Sequence, residues 1–191
     1  MFKVIKNAIS KELADFCYQY FCNKRAVTRL FFDEKYISQV NADWGVWNDE
    51  QIPETYSHYG DIVMETLLQK LKPLMEKETK LKLNETYSYA RIYKKGDELK
   101  KHKDRYSCEI STTLHLGGEQ WSIFLEGKEV KLGVGDMLIY SGCELEHWRE
   151  PFTGENCGQV FLHYNDVSKD TAEENKFDGR PILGLPSWFK K

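Results

Sequence analysis

The stretch KKHKDRYSCEISTTLHL, Lys100 to Leu116, places a histidine and an aspartate two residues apart at the head of an alternating run. Two physical accounts compete for this pair. One is a surface ion pair on a lysine-rich hairpin. The other is a pair of ligands: on a strand, residues i and i+2 point to one face, so a His102 nitrogen and an Asp104 carboxylate oxygen converge on a common ion. The surrounding sequence bears on the choice.

From residue 84 onward the texture is one of short alternating runs: ETYSYARIY, CEISTTLHL, QWSIFLE, KEVKL, DMLIY, LEHWRE and GQVFLHY. Turn-forming KKGDE, GGE, EGK, GVGD, SGCE and TGENCG break them. Strands at this spacing predict an antiparallel sandwich or barrel. The chain ahead of them is helical in pattern. Ser10 is a good N-cap, and Leu13, Phe16, Cys17, Tyr20 and Phe21 recur at helical spacing to about residue 24. VTRLFFDEKYI has strand-like or extended composition, and NADWGVWNDEQIPETYSHYG reads as a loop. A second helix is predicted from about Gly60 to Glu78, striped by Val63, Met64, Leu67, Leu68, Leu71, Leu74 and Met75, with Pro73 as a kink or break. Helices first and strands afterwards predict the α+β class, a jelly-roll core with the helices packed on one sheet. The expected organisation is one domain over 1–191: helical support at 1–83, a β core at 84–166 and a C-terminal tail at 167–191. In that tail, FDGRPILGLPSWF resembles an extended segment laid across the body.

A chain of 191 residues can bury one core without staples. Its 41% hydrophobic and 30% charged content is that of a water-soluble globular protein. Five cysteines, an odd number with no C-x-x-C pair, argue against a disulfide framework or a structural zinc site and predict reduced thiols in a cytoplasm. No apolar run approaches the ~20 residues of a membrane span. The N-terminus lacks the apolar core of a signal peptide, so a cytoplasmic location is expected. A net charge of −3 argues against strong general nucleic-acid binding and a membrane-surface role.

A third ligand to join His102 and Asp104 must come from a distant strand; the downstream candidates are His115, His147 and His163. His147 stands out because GVGDMLIYSGCELEHW reads as a tight turn, a buried strand and a second turn that delivers the histidine onto the next strand. Two histidines and one carboxylate on one face of a metal, with open positions opposite, is the arrangement of non-haem Fe(II) oxygenases.

With these pieces in order, residues 84 to about 166 resemble the double-stranded β-helix (jelly-roll, cupin-like) core of the Fe(II)/2-oxoglutarate-dependent dioxygenases, in their prolyl-4-hydroxylase-like branch. The segments that carry the likeness are YARIYKKGDELKKHKDR, ISTTLHL, GDMLIYSGCELEHWRE and QVFLHYND. The resemblance implies Fe(II), 2-oxoglutarate and O2 as reaction partners, with His102, Asp104 and His147 as metal ligands and catalytic centre. It also implies succinate and CO2 as products, and a hydroxylated peptidyl (prolyl-type) or small-molecule substrate.

The resemblance further implies a basic residue on the strand after the distal histidine, to pair with the far carboxylate of 2-oxoglutarate. Here the chain departs from the pattern: Asn156, Cys157, Gly158 and Gln159 stand in that region, all uncharged. Arg149 is the physical substitute. It lies two residues beyond His147, on the same side if the strand continues, and its planar fork matches a carboxylate. The bland alternative is a rim ion pair with Glu146 or Glu150. By the resemblance, Tyr93 takes the position of a tyrosine that helps hold 2-oxoglutarate, His115 that of a polar cosubstrate contact, and His163 is a further candidate. Tyr93 also reads as an ordinary strand tyrosine, and either histidine as a satisfied core residue.

Around the expected metal mouth, Lys94, Lys95, Lys100, Lys101, Lys103 and Arg105 form either a basic rim suited to an anionic partner or a solvated hairpin interleaved with Asp97 and Glu98. Trp44, Trp47 and Tyr56 form a lid or pack under their loop. Arg91 and Arg105 read as structural or substrate-facing. Two other functions stay open: a nucleic-acid demethylase of the same superfamily, and a non-catalytic jelly-roll binding module.

Overall fold

The computed structural model describes residues 1–190. It opens with a strand, β1 (Phe2–Ile5), followed by helix α1 (Lys11–Asp33). Ser10 caps α1, its side chain accepting from the Leu13 N–H at 3.1 Å. The helix runs well beyond residue 24, so all of VTRLFF is helical rather than extended. Tertiary packing overrides its β-branched and aromatic composition: Thr28 and Phe32 are buried on the same side as Ala14, Cys17 and Phe21. Phe16, expected on that side, is exposed.

Strand β2 (Tyr56–Tyr59) lies inside the segment expected as loop, and helix α2 (Ile62–Thr79) follows, capped by Asp61. Pro73 does not end α2. Both Pro73 and Gln69, whose carbonyl loses its helical donor, lie on the solvent side where water can replace the bond.

The remaining strands are β3 (Leu83–Lys94), β4 (Leu99–His102), β5 (Ile110–Gly118), β6 (Ile123–Leu125), β7 (Lys128–Val130), β8 (Met137–Ser141), β9 (His147–Arg149) and β10 (Asn156–Asp166). They form two antiparallel sheets. The larger has the order β1-β8-β5-β10-β3-β2, the smaller β4-β9-β6-β7. This is a jelly-roll-like architecture with few helices.

Period-two alternation decides what each face of the larger sheet does. Ile110, Leu114 and Leu116 of β5, Met137 and Ile139 of β8, and Val160, Leu162 and Tyr164 of β10 share one apolar cluster with Phe21, Met64, Leu68 and Met75 of the two helices. The intervening residues turn to the other face. On β5 these are Ser111, Thr113 and His115; on β10 they are Gln159, Phe161 and His163. That face is largely polar although it is buried, and buried polar groups need partners. The functional side chains sit among them.

Residues 167–190 wrap the body and are pinned at several points. Asp178 accepts two bonds from Arg105, at 2.9 and 3.0 Å. Arg180 pairs with buried Glu65 of α2 at 2.7 Å. All five cysteines are free. No helix among the described residues is long and apolar enough to cross a membrane.

Candidate metal centre and its cavity

Cross-strand register brings the two histidines together: His102, the last residue of β4, is the direct partner of His147, the first of β9. Their rings lie 4.2 Å apart. Asp104 arrives differently from the expectation of two ligands on one strand, because β4 ends at His102. Its position comes from its N–H, which donates to Gly142 O at 2.9 Å across the turn that follows β8. Gly142 makes that approach possible, since a Cβ there would overlap Asp104 Oδ2 and Cys108 O and lie 2.8 Å from Ser111 Oγ.

Asp104 Oδ1 lies 3.7 Å from His102 Nε2 and 3.5 Å from His147 Nε2. One ion with bonds of about 2.0–2.2 Å to nitrogen and oxygen can span such separations. The remaining hydrogen bonds orient these atoms for that purpose. His102 Nδ1 is 2.8 Å from Lys100 O, and His147 Nδ1 is 2.9 Å from Leu145 O. Each Nδ1–H therefore donates to a carbonyl, which leaves each Nε2 with its lone pair facing Asp104. Ser111 Oγ, which receives His163 Nδ1–H at 2.9 Å, shares its one proton between Cys108 O at 2.8 Å and Asp104 Oδ2 at 3.1 Å, so Oδ1 is the oxygen that faces the histidines.

The electrostatics favour the deprotonated forms of His102 and Asp104. Burial lowers the pKa of His102, and the neighbouring His147 lowers it further. Burial pushes the Asp104 carboxyl up, but the nearby His147, His163 and His102 side chains outweigh it, and the net shift is down. A neutral-imidazole and carboxylate set of this kind fits a divalent first-row ion. Asp104, Cys108 and His163 form a second cluster of possible ligands. It fits less well: burial raises the Cys108 thiol far above its ordinary value, and the His163 Nδ1 is committed to Ser111.

A cavity of about 340 Å³ opens beside the triad, walled by Tyr87, Tyr89, Arg91, Tyr93, Tyr140 and Phe161. Arg149 is fully buried beyond its lining. The rim pair with Glu146 or Glu150 does not form. Instead Arg149 Nη1 donates to Trp121 O at 2.5 Å and Nη2 to Thr113 Oγ1 at 3.2 Å, while its Nε has no partner. Among the described residues no carboxylate pairs with this guanidinium. Tyr93 is buried on the cavity wall, edge-on to Trp121. His163 lines the same cavity, and burial pushes its imidazole down to about 4.

His115 does not join the group. Its ring nitrogens face Leu132 O at 3.0 Å and Gly117 O at 3.1 Å, so neither is free for a cosubstrate. The aromatic lid does not form either: Trp44 packs on Phe31, and Trp47 on Phe32 and Tyr56. Asp49 and Gln51 of the same loop reach the cavity instead. Gln51 lies 3.2 Å from His102 Nε2, a contact without any signature in the sequence. On the rim, Lys94 is paired with Asp97 at 2.7 Å, and Lys101 lies 4.3 Å above the Trp148 ring. Lys103 lines the cavity.

No protein-family model matches the chain, and no curated protein matches it. Solved structures do. A prolyl-4-hydroxylase of Pseudomonas putida is 15% identical over 87% of this chain and 93% of its own, with a TM-score of 0.57. HygX from Streptomyces hygroscopicus, solved with nickel and 2-oxoglutarate bound, is 12% identical over 87% and 83%, with a TM-score of 0.60. A prolyl hydroxylase from Trichoplax adhaerens is 16% identical over 86% and 83%, with a TM-score of 0.59. At such identities the likeness lies in the fold: this chain has the fold of the 2-oxoglutarate/Fe(II) oxygenases, prolyl hydroxylases included.

Proposed function

We propose that the protein is an Fe(II)- and 2-oxoglutarate-dependent oxygenase that hydroxylates a peptidyl or small-molecule substrate. The observation that carries this reading is the convergence of His102 Nε2, Asp104 Oδ1 and His147 Nε2 beside a cavity, with both Nδ1–H groups tied to backbone carbonyls. Three protein ligands leave positions open for cosubstrate and oxygen, whereas a purely structural site is normally closed by a fourth ligand. Fe(II) held there, with 2-oxoglutarate and O2, supplies oxidative decarboxylation to succinate and CO2 and the oxidation of a substrate C–H bond.

The chain's own residues do the rest. His102, Asp104 and His147 hold the metal, and Ser111, His163 and Gly142 hold Asp104. Arg149 anchors the far carboxylate of the cosubstrate: a buried guanidinium without a carboxylate partner is costly, and an incoming carboxylate supplies the missing charge. Thr113, bonded to Arg149, shares that seat, and Tyr93 with Trp121 shields it from water. His115 is removed from the cosubstrate contacts, and His163 acts through Ser111. A peptide is a reasonable substrate class because the Trichoplax adhaerens structure is of a complex with a hypoxia inducible factor peptide fragment. The cysteines are all unpaired, in keeping with a reducing compartment such as the cytoplasm.

The test is spectroscopic, then chemical. Fe(II) and 2-oxoglutarate added without oxygen should give a metal-to-ligand charge-transfer band, and air should then yield succinate. Neither should occur in His147→Ala. Absence of both band and succinate in the wild-type protein overturns the assignment.

A further inference from the structure

A second buried arginine lines the cavity and has no task in the reading above. Arg91, on β3, is 2% exposed. Its guanidinium lies 5.1 Å from the Tyr89 ring centroid and 5.5 Å from that of Tyr93, which together restrict its plane. Its Nε has no partner. Its acceptors are the Asp49 carboxylate on Nη2, Gln51 Oε1 at 3.3 Å from Nη1 and the Tyr93 hydroxyl at 3.5 Å. Two of these three come from the loop between α1 and β2, not from the barrel.

That loop is pinned by Ile52, which is buried in a satellite cluster with Tyr93, Leu99 and Trp121. Asp49 itself reaches the cavity with its side chain 18% exposed. Gln51 also contacts His102 Nε2, the nitrogen that a metal would claim. A metal bound there would take that nitrogen from Gln51.

We propose that Arg91 is an anion subsite for the molecule to be oxidised, that this molecule carries a carboxylate, and that Asp49 occupies the subsite until substrate displaces it. The inference rests on the oxygenase reading for the word substrate, but not for the binding event. A carboxylate fits best because a planar guanidinium fork matches its two oxygens, and because the group now seated there is itself a carboxylate. The cavity is at the small end of the range for ligand sites, and its Tyr87, Tyr89 and Phe161 walls suit a compact apolar body behind the charge. A small carboxylic acid, or a residue bearing a free carboxylate, satisfies all of these features.

Benzoate and its neutral isostere benzamide are the probes, titrated into protein saturated with Zn(II) and 2-oxoglutarate so that the metal and Arg149 are already filled. Benzoate should bind at least tenfold more tightly than benzamide. Asp49→Asn should tighten benzoate several-fold by weakening the internal competitor, and Arg91→Gln should erase the preference. Equal affinities for the two probes in Asp49→Asn, or a preference that survives Arg91→Gln, overturn the proposal. The anaerobic Fe(II)–2-oxoglutarate band separates the two readings. If Arg91→Gln loses the band and Arg149→Gln keeps it, Arg91 is the cosubstrate anchor and the subsite falls while the oxygenase stands. If wild type shows no band, the oxygenase falls, and benzoate titration of the metal-free protein decides Arg91 by itself.

Discussion

Arg149 and Arg180 are equally hidden from water, at 0% and 1% exposure, yet their surroundings are opposite. Arg180 bonds Glu65 at 2.7 Å, Thr86 O at 3.0 Å, Leu185 O at 2.5 Å and Phe177 O at 2.7 Å through its Nε. Its charge is neutralised and its edges are filled. Arg149 has two neutral acceptors, an idle Nε and no carboxylate. Burial alone therefore does not tell these two arginines apart. Completeness of partners does.

The sharpest way to break this comparison is to remove one partner from each. Arg180→Met strands Glu65, and loss of about 3–5 kcal/mol is expected, read as a lower urea midpoint. Arg149→Met strands no opposite charge, so its urea midpoint should stay close to wild type. Its 2-oxoglutarate affinity, measured calorimetrically on the Zn(II) form, should fall by about 2–5 kcal/mol. If Arg149→Met unfolds as readily as Arg180→Met, Arg149 is structural and the cosubstrate seat lies elsewhere.

A third prediction concerns His163, buried like both arginines but neutral. Burial holds its folded-state pKa near 4, below the ordinary 6.5. Between these values the unfolded chain binds a proton that the folded chain refuses, so stability should fall as pH drops from 6.5 toward 4. The loss approaches about 3 kcal/mol at the acid end. His163→Phe should flatten that segment of the stability–pH curve, and an unchanged slope would show that the imidazole does not resist protonation. The smallest effect belongs to a site remote from all three: Ser10→Ala should cost about 1 kcal/mol through the lost cap and leave 2-oxoglutarate affinity alone.

What could be read in the sequence follows the range of the interaction. The seven alternating runs after residue 84 are all strands, because alternation is a local signal that a two-faced sheet preserves. β1, β2 and β4 owe their strand state to pairing with β8, β3 and β9, which the local sequence does not display. The last turns of α1 escaped because their composition favours strands and only packing keeps them helical. His102, Asp104 and His147 were legible through the order of turns and strands around them, although the strand geometry first assigned to Asp104 was wrong. Arg149 drew notice by its spacing to His147, and its proposed role rests on that spacing and on its burial without a carboxylate partner. For His115, its position on β5 does not reveal that two carbonyls face its ring. Asp49 and Gln51 were invisible, since a loop side chain that crosses forty-odd residues to meet Arg91 leaves no local trace.

The clamp of Asp178 on Arg105 joins positions 73 apart, and Arg105 directly follows Asp104. During synthesis Asp104 thus emerges long before the residue that steadies its neighbour. The two histidine strands can pair earlier, but the Asp104 segment gains this brace only after residue 178 has left the ribosome. If the proposed site holds a metal, a chain cut ahead of that segment should hold the ion more weakly even with His102, Asp104 and His147 present.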